Sequence, residues 1–313
     1  MLSLLGGVFL GWSLGANDAS NIIGTAVSSK MMRFWPAALL ASFFVIVGAV
    51  ISGQAGIETL KGLTTLSVHQ AVITSIAAAV TVTIMTVMAL PVSTSQSVVG
   101  AILGMGILNN QLNFSGLGKV VLCWVGTPVG AAIIAVLLYR IMGFFYNRIP
   151  MTLFNSDHIL RLGLILSASY GAYALGANNV ANVTGVFVGA GMISVLTAAI
   201  IGGISIAFGI LTFSRPVMET VGKKIVTLEP FSALVVSLAL AMTIHLYTLV
   251  GVPVSSSQAV IGGVMGIGIV KGVNTVDISV LKRIFLAWIF TPVVACSVAL
   301  LISYASRLRY IPL

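Results

Sequence analysis

Charge is what this sequence has least of. Of its 313 residues, 7% are Asp, Glu, Lys or Arg, while 58% are hydrophobic. A soluble domain carries about 25% charged residues. No soluble fold of this length could bury so much apolar surface, so the composition predicts a polytopic membrane protein. Acidic residues are scarcer still, six in all, which makes any acid inside an apolar run conspicuous. There are two cysteines, and both Cys123 and Cys296 lie in apolar runs, where they read as buried thiols and neither as a disulfide nor as a metal pair. The three histidines, His69, His158 and His245, share no helical face and no metal-ligand spacing. His69 and His245 read as polar residues satisfied inside a bundle, with a proton relay as the sharper alternative. No G-x-x-x-x-G-K-[ST] loop occurs, which argues against a primary pump, and no G-x-S-x-G elbow or His/Cys/Glu cluster suggests an enzyme. The net charge of +9 does not mark a nucleic-acid binder, because the basic residues are scattered at segment ends, where they anchor helices and set topology.

What is present is a series of apolar runs near the ~20 residues that span ~30 Å of hydrocarbon. The first half reads as five segments: 2–29, interrupted at Asn17-Asp18; 35–53, with Pro36 at a helix start; 67–90, ending at Pro91; 94–108; and 119–141. The first of these is apolar at once, without a basic n-region, and reads as an uncleaved span. The run 94–108 is short for a crossing and suggests a half-helix or re-entrant arm.

The second half repeats the plan. Asn178 follows Asn17 by 161 residues, and Glu219-Thr220 follows Glu58-Thr59 by the same offset. Pro253-Val254-Ser255-Ser256-Ser257-Gln258 follows Pro91-Val92-Ser93-Thr94-Ser95-Gln96 by 162, and Trp288, Thr291 and Pro292 follow Trp124, Thr127 and Pro128 by 164. Four markers in one order at nearly one spacing signal a duplication. We divide the chain into a first repeat (1–141), a linker (142–157, within the polar stretch Tyr139–Arg161) and a second repeat (158–313), all within one membrane unit. Basic residues distinguish the two copies. Lys30 and Arg33 follow the first interrupted span, whereas the matching point near Gly191 has none. Conversely, loop 54–66 has Lys61 alone, while its counterpart at 214–231 has Arg215, Lys223 and Lys224. Loop 109–119 has Lys119, against Lys271, Lys282 and Arg283 in its counterpart. Basic-rich loops therefore swap sides between the halves, which under the positive-inside rule predicts inverted-topology repeats. It places both termini outside and the linker in the cytoplasm, with Arg307 and Arg309 running against that placement.

Two polar constellations stand out. The first is Gly15-Ala16-Asn17-Asp18-Ala19-Ser20-Asn21 and its copy Gly176-Ala177-Asn178-Asn179-Val180-Ala181-Asn182. An Asp near a bilayer centre costs roughly 2.5–3.5 kcal/mol on insertion scales. The expectation is a broken helix, whose freed carbonyls join Asp18 and the Asn side chains around a hard cation. The plainer alternative is a hydrogen-bonded clamp between helices. The second constellation is the pair of hydroxyl clusters, Ser93-Thr94-Ser95 and Ser255-Ser256-Ser257, each opening a helix. Ser93-x-x-Gln96 and Ser255-x-x-Gln258 are capping boxes, but these leave Thr94, Ser95, Ser256 and Ser257 unexplained. Two half-helices meeting at the midplane would present facing N–H nests and positive dipole ends to an anion.

At these residues the chain resembles the inorganic phosphate transporter (PiT) family over nearly its whole length. The carrying motifs are Gly15–Asn21 with Gly24-Thr25, Gly176–Asn182 with Gly185, the two Pro-Val-Ser-rich segments, and Arg215–Gly222. The resemblance implies an all-α polytopic fold of two inverted repeats of about five segments each, with broken or re-entrant helices meeting at the midplane. It also implies a cation-coupled secondary transporter for inorganic phosphate, with a lipid bilayer and a second copy in a homodimer as partners, in the cell (inner) membrane. Substrate ligands on this reading are Asn21, Ser93, Thr94, Ser95, Gln96, Asn182, Ser255, Ser256, Ser257 and Gln258. Sodium ligands are Asn17, Asp18, Asn178 and Asn179. No cofactor is expected beyond the transported ions. Two departures are notable: Asn179 stands where many relatives have Asp, and Gln96 and Gln258 stand where many bacterial relatives have His. The family also has a sulfate-transporting branch.

The function expected is a sodium-coupled phosphate symporter. A proton-coupled phosphate or sulfate permease is the alternative within the family, and an anion channel the alternative outside it. Sodium is favoured over protons because neither motif contains a titratable His, while both concentrate oxygens suited to a hard cation.

Overall fold

In the computed structural model the described residues are 2–87, 92–150, 152–225, 228–272 and 278–308. Pro91 and Arg309 lie outside them, as do the side chains of Glu219 and Thr220. After a short turn of 3-10 helix at Leu2–Leu4, eleven α-helices follow among the described residues. The first repeat supplies α1 (Leu5–Ser28), α2 (Phe34–Ser52), α3 (Gln54–Lys61), α4 (Val68–Val87), α5 (Thr94–Asn109) and α6 (Phe114–Tyr146). The second supplies α7 (Leu153–Gly189), α8 (Val195–Ile225), α9 (Pro230–Val250), α10 (Ser256–Lys271) and α11 (Ile278–Leu308). Seven of these, α2, α4, α6, α7, α8, α9 and α11, contain stretches long and apolar enough to cross a membrane.

Helix α1 does not break at its polar motif. It runs unbroken through Asn17 and Asp18 for 24 residues, and α7 runs through Asn178 and Asn179 for 37. The expected unwinding is therefore absent, and the physical reason lies in the surroundings. Both motifs are buried in protein, where side chains from other helices bond Asn17, Asn21 and Asn178, so these amides are met without giving up backbone. A second departure is α3, an eight-residue helix after Gly53 that buries Ile57 and Leu60. Its counterpart in the second repeat is the continuation of α8 through Pro216.

Helix α5 is 16 residues long and so is α10; at 1.5 Å per residue each reaches about 24 Å, short of a bilayer's hydrocarbon. Both are half-helices, and each is entered through extended backbone at its Ser cap, Ser93 or Ser255.

Close helix crossings show how the repeats are joined. Gly7 lies against Phe187, and Gly171 against Ile22, so α1 and its repeat counterpart α7 run antiparallel. Likewise Ser42 on α2 donates to the Ala207 carbonyl on α8, and Gly203 lies beside Ile46 and Ala49. Equivalent helices in opposite directions are the inverted relation that the basic loops predicted. The crossings also come in exchanged pairs. A Cβ on Gly15 would run into the Ile206 carbonyl, and one on Gly176 into the Val45 carbonyl. Gly100 meets Pro292 just as Gly262 meets Pro128. Such reciprocity is the signature of a two-fold relation, here between the halves of one chain. Small residues at these crossings let backbones touch.

Candidate functional site

The site forms where α1 and α7 pass the starts of the half-helices. At each start the capping geometry follows from sequence: the Ser93 hydroxyl accepts from the Gln96 N–H at 3.3 Å, and Ser255 does the same for Gln258 at 3.3 Å. The two starts then tie to each other. The Ser95 hydroxyl donates to the Val254 carbonyl (2.9 Å) and the Ser257 hydroxyl to the Val92 carbonyl (3.1 Å), an equivalent pair across the repeats. Two helix N-termini thus meet in the protein interior. Their positive ends face one another, an arrangement that repels unless negative charge lies near.

The Asn motifs reach these starts crosswise. Asn21 on α1 donates to Ser256 Oγ (2.9 Å), at the start of α10 in the other repeat. Asn182 on α7 donates to Ser95 Oγ (2.9 Å) and to Asn179 Oδ1 (2.8 Å). The Asp18 carboxylate faces the Ser256 hydroxyl. Every residue that the sequence put forward here is buried, and Asp18, at 3% exposure, is the only buried acid or base among the described residues. Several polar atoms remain without a protein partner: the donors Thr94 Oγ1 and Asn179 Nδ2, and the acceptor Asn182 Oδ1. Unpaired donors suit an anion and an unpaired oxygen suits a cation. No group of three His, Cys, Asp or Glu side chains stands together among the described residues. A cation here would be held by amide and hydroxyl oxygens with one carboxylate.

Asn17 and Asn178 sit differently. Asn17 Nδ2 donates to Thr86 Oγ1 (2.8 Å) and Asn178 Nδ2 to Thr248 Oγ1 (3.1 Å), again an equivalent pair. Asn178 also donates to the Val252 carbonyl (3.0 Å) and accepts from the Val254 N–H (2.8 Å). It fastens the extended stretch that leads into α10. Thr86 and Thr248 were not singled out from the sequence. Their 162-residue spacing, that of the hydroxyl clusters, was the signal that could have found them. Gln96 and Gln258 follow directly on the half-helix starts and also line an apolar cavity between α6 and α11 whose named lining includes no Asn-motif residue.

Residues 14–154 and 153–299 each match the phosphate transporter family. This chain belongs to that family. The two matches, one in each half, make the protein a multi-pass membrane transporter and not an enzyme. Among curated relatives, the protein named "Putative phosphate permease" of Methanocaldococcus jannaschii is 30% identical over 302 residues, covering 96% of each chain. The sulfate permease CysP of Bacillus subtilis is 29% identical over 308 residues, covering 96% of this chain and 86% of its own. The fold matches a solved structure described as the sodium-dependent phosphate transporter, with a TM-score of 0.87 at 24% identity over 98% of each chain.

Proposed function

We propose that the protein is a secondary symporter that imports inorganic phosphate together with sodium. The observation that carries this reading is the meeting of two capped helix N-termini, with the unpaired donors Thr94 Oγ1 and Asn179 Nδ2 in the same neighbourhood. An oxyanion between the starts of α5 and α10 would relieve the facing dipoles and accept from the unpaired Thr94 Oγ1 and Asn179 Nδ2, and from the hydroxyls of Ser93, Ser95, Ser255, Ser256 and Ser257 and the amides of Asn21 and Asn182 as these exchange their present protein acceptors for it. No Lys or Arg lies in either motif, so positive charge must come from elsewhere. Sodium beside Asp18 and Asn17, and more weakly beside Asn178 and Asn179, would supply it and leave with the substrate. The name of the structural neighbour supports sodium as the coupling ion. The reading places the protein in the cell membrane as a homodimer, with both termini outside.

Proteoliposome uptake tests this. A sodium gradient at symmetric pH should accumulate phosphate against its own gradient. Accumulation driven only by a proton gradient without sodium refutes sodium coupling, and downhill flux alone refutes symport. The similarity to a sulfate permease favours sulfate as a second substrate reading. Phosphate at neutral pH still carries a proton to donate to Asp18 or an amide oxygen, whereas sulfate offers none and leaves the acceptor unpaired. Phosphate should therefore be preferred, with arsenate competing better than sulfate; equal inhibition by the two sinks that preference.

A further inference from the structure

A cavity of about 360 Å³ lies where α6 ends and α9 begins, apart from the Asn motifs. Its wall carries Tyr139, Tyr146 and Asn147 from the end of α6 and Glu229 and Phe231 from the start of α9. The three rings form one cluster: the Phe231 centroid stands 5.4 Å from that of Tyr139 and 5.1 Å from that of Tyr146. The Glu229 side chain is 53% exposed, so its carboxylate is open and not sealed in the wall. Its Oε1 accepts from Lys271 Nζ and from the Ser232 hydroxyl (3.0 Å). Both bonds fall on that one oxygen and leave Oε2 free. The Lys271 ammonium also lies 5.8 Å from the Tyr139 ring centroid, a cation–π contact, so this ring already has a cation at its face.

The apolar stretches of α6 and α9 fit to cross a membrane are Phe114–Tyr146 and Pro230–Val250, and Asn147 and Glu229 are the residues next beyond them. The cavity therefore lies at the boundary of hydrocarbon and water, where Tyr and charged side chains collect. Ile141, Phe144 and Phe145, on the same end of α6, are exposed and offer apolar surface beside it. The volume lies in the range of small-molecule sites. Aromatic faces and an open carboxylate oxygen attract a cation. A ligand that is only cationic meets repulsion from Lys271, and one that is only anionic meets repulsion from Glu229. A ligand carrying both charges a few atoms apart satisfies the two together, with the Tyr139 hydroxyl and the Asn147 amide as further donors to its anionic part.

We propose that this cavity binds a zwitterionic phosphodiester with an ammonium arm, the ammonium lying between Glu229 Oε2 and the rings of Tyr139, Tyr146 and Phe231, and the phosphodiester against Lys271. The headgroup of a phospholipid and the free glycerol diester carry the same chemistry. The site is distinct from the proposed phosphate site and does not depend on it.

The test titrates the full chain in detergent with dioleoylphosphatidylethanolamine or dioleoylphosphatidylglycerol and counts bound lipid by native mass spectrometry. The two lipids share chains and phosphate, and only the first has the ammonium. Phosphatidylethanolamine should saturate at a concentration about tenfold lower. E229Q keeps the shape of an exposed side chain and removes its charge. It should raise the half-saturating phosphatidylethanolamine concentration about tenfold, as expected for a lost bond between charged groups, and should not weaken phosphatidylglycerol. Y139L, which removes a ring face, should act in the same direction. Soluble glycerophosphoethanolamine distinguishes the sources. If it displaces the lipid at a matching concentration, the free diester is a ligand in its own right; if it does not, the lipid is the ligand, held also through its chains. Equal binding of the two lipids by the wild-type chain overturns the proposal in favour of ordinary surrounding lipid. Unchanged phosphatidylethanolamine binding in both variants overturns it as well, because the preference then arises elsewhere on the protein.

Discussion

Replacing Asp18 by Asn separates a carboxylate that holds the fold together from one that holds an ion. Asp18 is 3% exposed and faces Ser256, whose hydroxyl already accepts from Asn21. Asn has the same shape, and its amide oxygen can still accept from Ser256, so the packing should survive. A lone carboxylate at such depth costs roughly 2.5–3.5 kcal/mol on insertion scales, partly offset here by the Ser256 hydroxyl. Without sodium, Asp18→Asn should therefore leave stability unchanged or raise it by about 1–3 kcal/mol. With sodium the sign reverses. Wild-type protein at a hundredfold excess over its dissociation constant gains about 2.7 kcal/mol, and the variant should lose most of that gain. The assay is thermal unfolding in detergent, sodium against choline at fixed ionic strength, with phosphate uptake in proteoliposomes alongside. A sodium-induced shift as large in the variant as in wild type would refute the assignment. So would a fall in sodium-free stability, because it would make the carboxylate a structural partner.

Asn178→Ala strands the Val254 N–H and Val252 carbonyl in the interior and should cost about 2–4 kcal/mol. Asn17→Ala, whose amide makes one such bond to Thr86, should cost less; equal losses in thermal unfolding would count against the fastening role of Asn178. Gly15→Ala or Gly176→Ala forces a methyl into a backbone carbonyl, and folded yield should drop, by about 3 kcal/mol of stability or more. Gly118→Ala and Gly130→Ala, which meet nothing within 4 Å, should be neutral or slightly stabilising by the same measure. Asn179→Asp should tighten sodium binding on the second side, read as a lower half-saturating sodium concentration in unfolding titrations, and should slow release in uptake assays. At the entry to α9, Lys271 holds the Glu229 carboxyl below the ordinary carboxylate range. That depressed value means stability present above the usual carboxylate pKa and lost as pH falls through the folded one. The pair is partly exposed, so Glu229→Gln should cost under about 1 kcal/mol at pH 7 and nothing in strong acid, in melting curves against pH.

Much of the architecture was legible before any coordinates. Scarcity of charge decided the membrane class, because hydrocarbon tolerates few charged groups. The recurrence of Asn17 at Asn178 and of Ser93 at Ser255 decided the duplication. Basic loops that change sides between halves pointed to inversion, which the antiparallel run of α1 and α7 bears out. The half-helices and their Ser caps were also readable, since a cap involves only residues three apart.

The tertiary structure decided what no local rule reaches. Asn21 pairs with Ser256 across 235 residues and Asn182 with Ser95 across 87, each into the opposite repeat. The partner follows from how the halves dock, and docking follows from glycine crossings such as Gly15 on Ile206 and Gly176 on Val45. The same docking keeps α1 and α7 unbroken: polar partners arrive from other helices, so the Asn motifs need no exposed backbone of their own. It also sets Gln96 and Gln258 in the lining of an apolar cavity between α6 and α11. Sequence determined which residues are polar at depth, because burial of a polar group shows in composition; their pairing is a property of two surfaces meeting, and only the folded chain brings those surfaces together.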